Sequence, residues 1–127
     1  MSTQVAGRRT DAQGVADVNV KIVEDNEMIM RLVKLMLDEP GVVVASGGAD
    51  AGVLMDVIAW ENVDVAIVDL FLPGTGGSEL LDWLAEEAPH VRRIAMSGSG
   101  RSVEQANADV RLLKPFKIED LLAALRP

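Results

Sequence analysis

From Val18 onward, short apolar and β-branched runs alternate with segments whose apolar residues recur at helical spacing. A parallel sheet covered by helices on both faces produces that alternation. Its strands, buried on both sides, read as continuous Val, Ile and Leu runs, while each covering helix shows one apolar stripe. The runs predict strands over Val18 to Glu24, Val42 to Ser46, Val63 to Asp69, Val91 to Ser97 and Val110 to Lys114, the third the most buried in character. Between them, Met28, Ile29, Leu32, Val33 and Met36 define one helical stripe, Leu54, Val57 and Ile58 a second, and Leu80, Leu81 and Leu84 a third. Ile118, Leu121, Leu122 and Leu125 close the series, with Glu119 and Asp120 near the positive end of that helix. The fourth helix is the weak one. The segment GSGRSVEQANADVRLL between Ser97 and Lys114 leaves room for about two turns, held by Val103 and Ala106. The expected fold is therefore α/β, a doubly wound five-stranded parallel sheet flanked by five helices, the fourth short or irregular. The stripes read as core, and Trp60 and Trp83 are expected to pack with them.

Residues 1 to 17, MSTQVAGRRTDAQGVAD, are small, polar and aperiodic, and read as a flexible tail before one domain over 18 to 127. No stretch approaches the roughly 18 apolar residues a membrane helix needs. The Arg8-Arg9 pair has no apolar core behind it to make an export signal, so the cytosol is the expected compartment and membrane insertion is not expected. Twelve Lys and Arg against twenty Asp and Glu give a net charge of −8, which repels nucleic acid phosphates at long range, so direct nucleic acid binding is not expected. With no cysteine and one histidine, any metal should be hard and oxygen-bound. That histidine, His90, follows Pro89 in a loop and reads as an exposed surface residue.

In an open parallel sheet the ligand crevice lies beyond the carboxyl ends of the strands. Here the first strand ends in Glu24-Asp25, the third in Asp69, the fourth in Ser97 and the fifth in Lys114-Pro115. Three carboxylates crowded at one edge repel one another and favour a cation, for which Mg²⁺ suits an all-oxygen donor set. Lys114 supplies a point charge for a phosphoryl oxygen, Ser97 a hydrogen bond, and backbone N–H groups in the Gly98 and Leu70 turns could add more. Such parts suit phosphoryl transfer, with Asp69 as the nucleophile forming an acyl phosphate. Taken alone, Glu24-Asp25 reads more simply as a helix cap or solvated loop, and Ser97-Gly98 as a turn. Asp69, embedded between VDVAIV and Leu70-Phe71-Leu72, and Lys114, flanked by Leu112, Leu113, Pro115 and Phe116, are harder to dismiss.

Over Val18 to Arg126 the segments VKIVEDNEMIMRLV, VDVAIVDLFLPGTGG, IAMSGSG and LLKPF, in this order at strand ends, resemble the receiver domains of two-component response regulators. The resemblance implies a CheY-like, flavodoxin-like fold with strand order 2-1-3-4-5. It implies Asp69 as the phosphoacceptor, with Glu24, Asp25, Asp69 and the Phe71 backbone carbonyl holding Mg²⁺. Ser97 would be the switch hydroxyl and Lys114 the phosphoryl-contacting lysine. Gly77 would close the loop after the acceptor, and the Lys114-Pro115 bond would be cis. The implied donor is a histidine kinase or histidine phosphotransfer protein, the implied output a downstream protein target, and the implied state a monomer or phosphorylation-dependent dimer. The chain lacks kinase machinery and is expected to be a signalling phosphoacceptor rather than an enzyme. Three positions depart from the family pattern. Arg111 stands where Tyr or Phe is usual, the interval from Ser97 to Lys114 is short, and Phe71 replaces the polar residues common two positions after the acceptor, where it should slow hydrolysis.

With no effector sequence after Pro127, a stand-alone signalling module is the expectation. A pseudo-receiver scaffold that works without phosphorylation is the alternative, favoured by Arg111 and the short fourth helix. A phosphatase of the haloacid-dehalogenase type would want an aspartate where Phe71 stands. A flavodoxin-like cofactor binder would set Glu24-Asp25 against a nucleotide phosphate.

Overall fold

The computed structural model of the chain describes residues 17–38, 40–48, 51–72 and 76–126. The expected tail lies outside these residues, Asp17 apart. Five strands, β1 (Val18–Val23), β2 (Val42–Gly48), β3 (Val65–Asp69), β4 (Arg92–Ser97) and β5 (Val110–Leu113), pair in parallel in the order β2-β1-β3-β4-β5. The helices are α1 (Glu27–Met36), α2 (Ala51–Val57), α3 (Gly77–Glu87), α4 (Gly100–Glu104) and α5 (Ile118–Ala124), with a 3-10 turn over Trp60–Asn62.

Strand alternation splits the interior into two cores. Val20, Ile22, Val65, Ile67, Ile94 and Met96 face α1 and α5. Val23, Ala66, Val68 and Ala95 face the other way, toward Leu54 of α2 and Leu80, Leu81 and Leu84 of α3. All five residues of β3 are buried, as expected of the central strand. Both tryptophans pack into the second core. Trp60 is buried with its Nε1 donating to the Leu54 carbonyl at 3.0 Å, and its ring lies 6.4 Å from that of Trp83 at 59°.

The α3 stripe Leu80, Leu81 and Leu84 is buried as expected, whereas those of α1 and α5 are correct in kind and displaced in phase. On α1, Met28 and Leu32 are 80% and 52% exposed and Leu35 is 71% exposed, whereas Met30, Val33 and Leu37 are buried. The true face is turned by one residue, about 100°. Likewise Ile118 is 41% exposed while Leu121, Ala124 and Leu125 are buried, so that face is centred nearer Ala124. Val57, the last residue of α2, is also exposed, leaving Leu54 as that helix's core residue. α4 is a five-residue helix with Val103 buried, and Ala106 is buried just beyond it.

Candidate functional site

β1 and β3 are neighbours in the sheet, yet the helices that follow them, α1 and α3, cover opposite faces. The chain therefore splays apart beyond their carboxyl ends and leaves a crevice there. Into the first turn go Glu24, Asp25 and Asn26. Asn26 caps α1, its Oδ1 accepting from the N–H groups of Met28 and Ile29 at 2.9 and 3.1 Å. This cap is the residue the sequence reading missed. With Asn26 capping the helix, neither acid is needed for that role. Glu24 instead turns inward, 4% exposed, with its Oε1 accepting from the Asn26 N–H at 3.1 Å, while Asp25 stays exposed.

Asp69 ends β3 and is buried. Its Oδ1 accepts from the Phe71 N–H at 3.1 Å, and its Oδ2 lies 3.5 Å from Lys114 Nζ, which reaches Glu24 Oε2 at 3.3 Å. Carboxylate oxygens of Glu24, Asp25 and Asp69 all lie within 4.8 Å of one another. Gly77, at the start of α3, makes this crowding possible. A Cβ on it would stand 2.0 Å from the Asp69 carbonyl oxygen, so no other residue lets the helix approach the strand this closely.

Burial pushes the Glu24 carboxyl up to about 7, and a hydrogen bond with Asp69 adds to the rise; the Asn26 N–H and Lys114 oppose it without cancelling it. Three acids against one ammonium leave the cluster net negative. An all-oxygen donor set with excess negative charge fits a hard divalent cation such as Mg²⁺.

Ser97 is fully buried at the end of β4, and the backbone N–H of Lys114 donates to its carbonyl at 2.8 Å. The Ser97 hydroxyl accepts from the Ser99 N–H at 3.0 Å. The Lys114-Pro115 bond is cis. One expected donor is spent: the Leu70 N–H donates to the Met96 carbonyl at 3.1 Å, because β3 and β4 stay paired to their very ends, so it cannot serve a ligand. In its place the Phe71 N–H reaches the Asp69 carboxylate. The Phe71 ring is 60% exposed. Arg111 is exposed, with its Nε donating to the Ala106 carbonyl at 3.0 Å. His90 is exposed too, and its Nε2 lies 3.0 Å from the Trp60 carbonyl.

An aspartate at the switch point of a doubly wound sheet, ringed by two further acids and a lysine from the last strand, defines a class of α/β domain built around one carboxylate. The response regulator receiver domain model matches residues 20–126, and the chain belongs to that family. The polar-differentiation response regulator DivK of Brucella ovis is 26% identical over 117 residues, 85% of this chain and 93% of that protein. The transcriptional regulatory protein KdpE of Mycobacterium tuberculosis is 33% identical over 113 residues, 84% of this chain but 49% of KdpE, so the chain spans about half of that relative. A CheY-like response regulator receiver domain from Methanospirillum hungatei superposes with a TM-score of 0.71 at 30% identity, covering 84% of this chain and 89% of that one. A signal receiver domain of an HD domain-containing protein from Pseudomonas fluorescens shares the fold at a TM-score of 0.76 and 23% identity, covering 87% and 92%. No helix among the described residues is long and apolar enough to cross a membrane.

Proposed function

We propose that this chain is a phosphoacceptor. Asp69 takes a phosphoryl group from a phosphohistidine on a histidine kinase or phosphotransfer protein, in a Mg²⁺-dependent reaction, and the modified domain signals through contacts with a downstream protein. The observation that carries the reading is the gathering of Glu24, Asp25 and Asp69 within 4.8 Å, with Lys114 against two of them. An Asp69 carboxylate oxygen attacks phosphorus in line as the P–N bond breaks; the leaving nitrogen keeps the bonding pair and is protonated. The Phe71 N–H orients the carboxylate before attack. Lys114 neutralises an incoming phosphoryl oxygen, a role its contacts with Asp69 and Glu24 support, and Ser97 donates to another. Glu24, Asp25, Asp69 and the Phe71 carbonyl would hold Mg²⁺, which when bound offsets the charge of the acyl phosphate. The chain modifies itself and turns over no diffusible substrate, so it acts as a signalling phosphoacceptor rather than an enzyme.

The surface beside the acceptor suits a protein donor. A groove of about 300 Å³ lined by Ile29, Leu32, Val33, Met36, Pro115 and Phe116 opens next to Lys114. The exposed ridge of Met28, Leu32 and Leu35 also runs along α1, which carries the exposed Arg31 and Lys34 on a chain of net charge −8. A donor helix with an apolar face and an acidic rim fits that combination. Leu32→Glu is expected to slow transfer from a protein donor and leave modification by acetyl phosphate unchanged.

The deciding experiment is acetyl phosphate with and without Mg²⁺, read by intact mass. Wild type should gain one phosphoryl group only with Mg²⁺, and Asp69→Asn none; no gain on wild type overturns the reading. The short α4 and Arg111 favour a second reading, a scaffold that works without phosphorylation. In that case Asp69→Asn would bind the target as wild type does.

A further inference from the structure

Charge is segregated along the chain. No Lys or Arg lies between Lys34 and Arg92, a stretch with eleven Asp and Glu, whereas the rest of the chain sets twelve basic residues against nine acidic ones. That acid-only stretch builds β2, α2, β3 and α3, and α2 and α3 cover the side of the sheet opposite to α1 and α5. On α1 the exposed Met28, Leu32 and Leu35 form one surface stripe, flanked by the exposed Arg31. α2 repeats this pattern with the opposite sign. Val53 and Val57 are 53% and 66% exposed, four residues apart, and the exposed Asp56 takes the position that Arg31 holds on α1. Met28, Arg31 and Leu32 thus match Val53, Asp56 and Val57 position for position. Neither Arg31 nor Asp56 forms an ion pair or a side-chain hydrogen bond among the described residues. Beside α2, in the same core, α3 adds the exposed Glu79, Asp82 and Glu86 along one stripe, which extends the acidic field.

We infer that α1 of one copy of this chain docks on α2 of a second copy, with Met28 and Leu32 against Val53 and Val57 and Arg31 opposite Asp56. The two helices run antiparallel in this contact, because only then do the flanking residues, each three positions into its pattern, fall on the same side of the seam. A second copy is the occupant because the complement of each surface is present in the chain itself. Pairing like with like fails on charge: α2 on α2 sets Asp56 against Asp56, and α1 on α1 sets Arg31 against Arg31. The contact is therefore heterologous, and since α1 and α2 lie on opposite sides of the sheet, assembly continues past two copies. One helix laid on another is smaller than a standard protein interface, so the affinity is weak, with a Kd on the order of 0.1–1 mM. Copies joined in this way cover the ridge on α1 where a protein donor would dock. That consequence, unlike the pairing itself, rests on the phosphoacceptor reading.

The test is sedimentation equilibrium on the unmodified full chain from about 0.01 to 2 mM, a range that spans the expected Kd. The average mass of wild type should rise with concentration and pass that of a dimer at the top of the range. Leu32→Glu and Val57→Glu, both at exposed positions, should each stay monomeric. An equimolar mixture of the two should form a dimer with one copy of each and grow no further, since one variant keeps a sound α2 and the other a sound α1. Arg31→Glu should weaken association by about threefold or more, and Arg31→Glu combined with Asp56→Arg in one chain should recover it. The inference is overturned by wild type that stays monomeric, by an assembly that stops at two, by either single Glu variant that still associates, by a mixture that remains monomeric, or by a charge exchange that recovers nothing. If acetyl phosphate with Mg²⁺ adds no mass to wild type, the consequence for the donor falls with the phosphoacceptor reading, and the sedimentation result still decides the pairing.

Discussion

Glu24 is a buried acid whose proton the fold retains. Its carboxyl titrates near 7 in the folded chain against an ordinary 4.5, so between these values the folded state binds more protons than the unfolded one. Stability contributed by that proton is fully present below pH 4.5 and is lost as pH rises through about 7. Urea midpoints measured without Mg²⁺ should fall across this window, and Glu24→Gln should flatten the slope. Gly77 faces a steric limit, not an electrostatic one. Gly77→Ala must push α3 away from the Asp69 carbonyl, at a cost of about 1–3 kcal/mol in urea unfolding. Phe71 bears on the lifetime of the modified state: Phe71→Asn should speed loss of phosphate from Asp69, timed after removal of donor, because a polar side chain there can orient the attacking water. The cluster of Asp69, Glu24, Asp25 and Lys114 was legible in the sequence because each is a charged residue that ends or interrupts an apolar run. Asn26 was not. Three polar residues in a row follow β1, and only the backbone geometry of the turn decides which of them caps α1.

At the level of elements, α1 shows where pattern reading loses resolution. Seven of its ten residues, EMIMRLVKLM, are apolar, so the stripe is too wide to fix the buried face to better than one residue. The phase is set by which methionine fits beneath the helix, and that depends on the sheet. Met30→Ala is therefore expected to cost about 2–5 kcal/mol. Met28→Ala should stay within about 0.5 kcal/mol, and equal losses in denaturant titration would contradict the observed face. β3 was legible as a continuous apolar run because it is buried along its whole length, and Gly77 was legible through the resemblance. The hydrogen bonds that tie Ala106, Asn107 and Asp109 to Arg111 and Arg93 were not, since they use backbone carbonyls of Ala106, Asn107 and Arg93 that no side-chain pattern announces.

For the molecule as a whole, the site concentrates negative charge on a chain already at −8, so a divalent cation should stabilise the entire fold. At a hundredfold excess of Mg²⁺ over its Kd, linkage gives about 2.7 kcal/mol, visible as a higher Tm. Asp25→Asn should lose most of that gain while leaving the metal-free Tm unchanged or raised, because one source of repulsion is gone.

Lys114 follows β5, the last strand among the described residues, yet it neutralises Asp69 at the end of β3, one strand further than its neighbour β4, and Glu24 just beyond β1, further away still. While the polypeptide is being made, Glu24, Asp25 and Asp69 emerge long before the ammonium that balances them. A ribosome-bound domain stalled short of residue 114 therefore carries an acidic hollow with no counter-charge from its own sequence. The charge balance of the cluster is complete only once residue 114 has been made.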